Sequence, residues 1–135
     1  MQTEPSNAVQ TPGFAGVIAR QIEPLNSKAA FQQAYRSAKP VCILLNATNA
    51  DHAALIIVEN GKIHVQGIEN KPKSNLSRKN VHYDGFLSCS TRTFLEIALG
   101  RLSMAKMVLK LLSGDIKVNN LLKVLQFKKI ISYLA

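Results

Sequence analysis

Gly100-Arg-Leu-Ser-Met-Ala-Lys-Met-Val-Leu-Lys-Leu-Leu-Ser-Gly114-Asp-Ile-Lys-Val118 reads as a capped apolar helix that runs through a glycine into a short alternating strand. Ser103 stands where a helix N-cap belongs, and Met104, Met107, Val108, Leu111 and Leu112 recur at the spacing of one helical face. Lys106 and Lys110 fall together on the other face. Beyond Gly114, Ile116 and Val118 alternate with Asp115 and Lys117, the two-residue period of a strand.

Working upstream, Ser90-Thr-Arg-Thr-Phe-Leu-Glu96 opens an earlier helix. Thr93 and Glu96 have capping-box spacing, with Ser90 and Thr91 as alternative caps. Gly100 tolerates the left-handed conformation that ends such a helix. Before it, Tyr83 to Ser90 alternates as a strand. Val41-Cys-Ile-Leu-Leu45 and Ala54-Leu-Ile-Ile-Val58 are apolar runs too short for helices and rich in β-branched residues, so both read as central strands. Asn60-Gly61 readily takes the positive φ angles of a tight turn, which makes the second run and Ile63-His-Val65 a hairpin. The segment from Glu69 to Asn80 is a polar, basic loop.

Phe14, Val17, Ile18 and Ile22 share a helical face that Pro24 must close, and Asn26 or Ser27 is placed to cap a helix through Phe31 and Tyr35 ending before Pro40. Residues 1–25 are expected to be a mobile tail with a short helix, and 26–135 a single domain. Downstream, Asn119-Asn120 turns into a wide-faced amphipathic helix through Leu134. The resulting order implies an α+β fold: a five-stranded mixed sheet with helices packed on one face. Only the helices starting near Phe94, Met104 and Leu121 are apolar enough to cover it.

The chain has 135 residues, enough for one core, and a net charge of +9. From Arg101 to Ala135 there are seven bases and one acid, Asp115, so this stretch alone carries 7 − 1 = +6. The basic part is also an apolar part. That pairing suits an anionic membrane surface or a lipid with an acidic head. It argues against nucleic acid, since the bases are interleaved with large aliphatics and no aromatic pair is placed to stack bases.

Enzymatic readings lack parts. The acids are few and sit beside turn residues, so no general acid and base are juxtaposed. His52, His64 and His82 lie 12 and 18 residues apart with no ligand-spaced partner, and no glycine-rich phosphate loop is present. No catalytic residue, metal or cofactor is expected. Cys42 and Cys89 read as reduced, interior thiols. With neither a signal-peptide layout nor an apolar run of the ~18 residues that span a bilayer, a cytoplasmic location is expected.

Phe94-Leu95, Gly100-Arg101-Leu102 and Gly114-Asp115-Ile116-Lys117-Val118 before a leucine-rich helix together resemble the pattern of sterol-carrier-protein domains. Two features depart from it. Gly100 and Gly114 stand about one helical turn further apart than the pattern has them, and Asn119-Asn120 replaces a glycine-containing turn. The carboxyl end, Ser132-Tyr-Leu-Ala135, is not the peroxisomal type of address found on some of that family. The resemblance implies a five-stranded sheet with helices enclosing an apolar tunnel that receives sterols, fatty acids or acyl-coenzyme A.

The expectation is thus a non-enzymatic domain that binds or transfers an apolar lipid: fatty acid, acyl-coenzyme A, sterol or isoprenoid. Its lining is expected from Phe94, Leu95, Ala98, Leu102, Met104, Met107, Val108, Leu111, Leu121, Leu122 and Leu125. Lys106, Lys110 and Lys123 are expected at the mouth or at a membrane-facing rim. A homodimeric interaction module formed through the terminal helix is the competing use of the same apolar surplus, and a basic nucleic-acid-binding protein is the other alternative.

Overall fold

The computed structural model describes residues 13–98 and 100–134, without the side-chain surroundings of Leu95, Ala98 and Met104. Its strands are β1 (Val41–Ala47), β2 (His52–Glu59), β3 (Lys62–Glu69), β4 (Gly85–Cys89) and β5 (Lys117–Asn119). They form one sheet in the order β3-β2-β1-β4-β5. The β1–β4 pair is parallel and the others are antiparallel. The helices are α1 (Gly13–Ile22), α2 (Ala29–Tyr35), α3 (Thr91–Ala98), α4 (Met104–Ser113) and α5 (Leu121–Ile131).

The first three strands form a meander because their connections are short. Asn60 and Gly61 have φ of 54° and 75°, as the Asn-Gly hairpin requires. A side chain at 61 is excluded for a second reason: its Cβ would lie 2.9 Å from the Gln32 carbonyl oxygen of α2, against which the turn is packed. Strand β1 can be apolar from Val41 to Leu45 because both its faces are covered. Val41, Ile43, Leu45 and Ala47 face the helices with Ile56, Val58, Ile63, Val65, Leu87 and Cys89.

The opposite face is covered as well, by loop and not by helix. Leu44, Ala53, Leu55 and Val81 are buried there, with Leu76, Tyr83 and Phe86 packed around them. The cover comes from the polar loop before β4, whose few apolar residues turn inward. Arg78 lies 4.9 Å from the centre of the Tyr83 ring, itself 5.6 Å from that of Phe86. Cys42 belongs to this side and Cys89 to the helical side, so the sheet separates the two free thiols.

Helix caps fall largely where residue type places them. Ser103 accepts from the Lys106 amide at 3.2 Å, and Gly114 closes α4 with φ of 86°. Among the candidates for α3, Ser90 is the cap, accepting from the Thr93 amide at 3.2 Å. Asn120 takes the left-handed conformation, φ 62°, at the entry to α5. Asn26 does something else: its side chain pairs with the backbone of Ile63, donating to the carbonyl at 2.9 Å and accepting from the amide at 2.8 Å. It therefore mimics one residue of an added strand on the exposed edge of β3, and α2 starts at Lys28 without a side-chain cap. The described part of the expected tail is also built in. Phe14, Ala15, Ala19 and Ile22 of α1 and Leu25 of the 3-10 turn Glu23–Ser27 are buried in the helical-side core. Residues 1–12 lie outside the described residues.

Candidate functional site

The helical layer has two parts that sit on different strands. Helix α1 lies over β2 and β3, and α5 over β4 and β1. Under α1 and α2 the apolar side chains are closed off from water: Leu25 and Phe31 are fully buried, and Phe14, Ala19 and Ile22 nearly so. Along α3, α4, α5 and the link between the first two, most residues that approach the core remain half-exposed. These are Phe94, Leu102, Met107, Val124, Phe127 and Ile131; of the described residues of α3, α4 and α5, only Thr93 and Ile130 are buried. Phe94 is anchored by Phe14, with ring centres 5.0 Å apart.

The floor beneath this cover is apolar, made of Ile43, Leu45, Leu87 and Cys89. Burial pushes the Cys89 thiol up to about 12, an effect that the positive charge of Lys110 partly offsets. A thiol held that far from ionisation marks a poorly solvated interior, and it is no nucleophile at neutral pH. Lys110 is half-buried. It is the charge whose field reaches this floor. Among the described residues no three histidines, cysteines or acids come together to hold a metal ion.

The residues expected to line a tunnel are divided by the structure. Phe94, Leu102 and Met107 pack on the core from the helical layer. The side chains of Leu95, Ala98 and Met104 lie outside the described residues. Val108, Leu111, Leu121, Leu122 and Leu125 stand on the outer surface, between 36% and 78% exposed. The reason is geometric: with 3.6 residues per turn the apolar residues of α4 span an arc of about 200°, more than one contact with a sheet can use. Met107 takes the inner position. Of the expected rim, Lys106 is exposed, whereas Lys110 and Lys123 are half-buried. Lys123 lies against β4 so closely that a Cβ on Gly85 would be 2.8 Å from its own.

A concavity of about 540 Å³ lies on the loop-covered face of the sheet. Sequence reading had no signal for it, because its parts come from β1, β4, β5 and three separate loops. Its wall includes Tyr83 and Phe86, and Lys73 and Lys117 stand at its edge. Asn46, Asn70 and Ser88 form its polar part: the Asn46 amide donates to the Ser88 hydroxyl at 3.2 Å, and the Asn70 amide donates to the Asn46 carbonyl at 2.9 Å.

The sequence itself matches no family model and no curated protein. Among solved structures, the fold is similar to that of UbiJ-SCP2, a ubiquinone synthesis protein, with a TM-score of 0.53 and 8% identity over 96% of this chain and 93% of that one. It is similar also to part of Pisa1, a stereoselective inverting sec-alkylsulfatase from Pseudomonas sp., with a TM-score of 0.52 and 13% identity over 89% of this chain but 15% of the sulfatase. A double mutant of that enzyme matches with a TM-score of 0.55 and 14% identity, over 78% of this chain and again 15% of the enzyme. At these identities the likeness is one of fold. The chain has a sterol-carrier-protein-like fold, an α+β domain built on a five-stranded mixed sheet.

Proposed function

We propose that this chain binds an apolar lipid, without chemistry, between β1 and β4 of the sheet and the cover made by α3, α4 and α5. The observation that carries the reading is the incomplete closure of that cover. Phe94, Leu102 and Met107 reach the core yet stay half-exposed, while equivalent residues under α1 and α2 are sealed. Apolar side chains left partly open over an apolar floor are what a guest hydrocarbon chain would complete. A methionine at 107 suits chains of differing shape, since the thioether side chain is flexible and polarisable.

The ligand class is a long, apolar molecule with a small polar or acidic end: a fatty acid, an acyl-coenzyme A, a sterol or an isoprenoid. The likeness to a ubiquinone synthesis protein gives weight to an isoprenoid chain within that range. Lys110, half-buried and close enough to act on the Cys89 thiol, is the group that would meet an acidic end. The alkylsulfatase likeness covers too little of that enzyme to carry its activity across.

Met107→Trp tests the site, because a larger side chain there occupies the space assigned to the ligand. Uptake of a fluorescent fatty acid by the folded variant should fall about tenfold, equivalent to about 1.4 kcal/mol. Unchanged uptake by a folded variant would remove Met107 from the lining.

A further inference from the structure

We infer that the outer face of α4 and α5 is a docking surface for an anionic lipid bilayer. This goes beyond the tunnel reading and stands independently of it, because it rests on the residues that turn away from the core. On α4, Leu109 is 64% exposed and Leu112 80%; on α5, Leu122 is 78% exposed. Large aliphatics so exposed on two successive helices exceed the scattered apolar residues of an ordinary surface.

Charge decides the occupant. On α5 the exposed positions 121, 122, 125, 128 and 129 fall within an arc of about 120° at 3.6 residues per turn. That arc therefore begins with Leu121, Leu122 and Leu125 and ends with Lys128 and Lys129, all exposed. On α4 the exposed Lys106 borders the arc that carries Leu109. Seven bases and one acid from residue 101 onward give this region +6. A second copy would bring the same positive field against itself, which disfavours a symmetric dimer through this face. A bilayer with anionic headgroups supplies both what the leucines need and what the lysines need: an acyl boundary at shallow depth and negative charge at the surface. No helix among the described residues is long and apolar enough to cross a membrane, so the contact is interfacial.

The position of the face gives docking a consequence. It lies on the outside of the same helices that cover the proposed lipid space, so a bound membrane would abut the cover through which a lipid must pass.

Flotation of the full chain with vesicles tests the inference. With an equal mixture of phosphatidylcholine and phosphatidylglycerol the protein should float with the lipid, and with phosphatidylcholine alone it should stay behind. Added salt should weaken the binding. Leu112→Asp combined with Leu122→Asp should lower the partition at least tenfold, and Lys128→Glu combined with Lys129→Glu should remove the preference for anionic lipid. Because the chain has no tryptophan, Leu112→Trp introduces a single indole whose emission should shift to the blue on anionic vesicles. Native protein that remains in the aqueous fraction with anionic vesicles would overturn the inference. So would leucine variants that float as well as the native chain, or a native dimer that the leucine changes convert to monomer in sedimentation. Loss of fatty-acid uptake with flotation intact would instead count against the tunnel reading alone.

Discussion

The helical layer over β2 and β3 and the helical layer over β1 and β4 are built from similarly apolar sequence, yet they use it differently. In the first, α1, the turn after it and α2 bring Phe14, Ile22, Leu25 and Phe31 into full contact with the sheet. Asn26 adds a directional tie to the backbone of Ile63. In the second, α4 and α5 leave Leu109, Leu112 and Leu122 in water and, the buried Ile130 apart, reach the core with half-exposed residues. Burying a leucine or phenylalanine fully is worth about 1.5–3 kcal/mol, so the first layer contributes stability that the second leaves unrealised. An apolar surface kept out of the core is available to lipid, and the difference between the layers separates the part of the fold that stabilises it from the part proposed here to bind lipid.

The sharpest way to break this comparison is to cut into the closed layer. Phe31→Ala removes a ring that is fully buried against Tyr35 and Tyr133, with ring centres 5.1 Å and 6.2 Å away. It should destabilise the protein by about 3–5 kcal/mol in denaturant unfolding. A loss below about 1 kcal/mol would mean that this layer is no better packed than the other.

The floor of the open layer gives a pH signature of intermediate size. Cys89 is held neutral in the folded chain to about pH 12, against an ordinary value of 9.0. Once unfolded, the thiol ionises from about pH 9, so the unfolded state is favoured as pH rises. The stability contributed by the neutral thiol is therefore complete below about pH 9 and is lost progressively between 9 and 12. Cys89→Ala should flatten that alkaline fall when unfolding is followed against pH. An unaltered slope would place the thiol in contact with water, against the dry floor described above.

At the small end, Leu112→Ser in the open layer should shift unfolding by less than about 0.5 kcal/mol, as expected of an exposed position. Equal destabilisation by Leu112→Ser and Phe31→Ala would erase the distinction between the two layers. A neutral effect on stability combined with weaker vesicle binding would sharpen it.

Much of this architecture can be read from local residue patterns. Asn60-Gly61, Ser103 and Gly114 each specify a backbone conformation through their own chemistry, and the apolar runs of β1 and β2 are too short to be anything but strands. Long-range choices were less legible. The role of Asn26 depends on Ile63, which lies 37 residues away and shows no pattern that points back. The inward-facing Leu76, Val81 and Tyr83 are scattered through an irregular loop with no period to reveal a second core. For the candidate site, the periodicity of α4 identified a broad apolar arc but not which part of it meets the sheet. Met107 turned inward while Val108 and Leu111 turned out, a choice settled by packing against neighbours and not by the helix itself.

The most direct test of lipid binding is to purify the full chain without detergent, extract it with organic solvent and identify what leaves with it by mass spectrometry. The account predicts a long-chain acyl, sterol or isoprenoid lipid in near-stoichiometric amount. Protein that carries no lipid and also takes up no fluorescent fatty acid would contradict it.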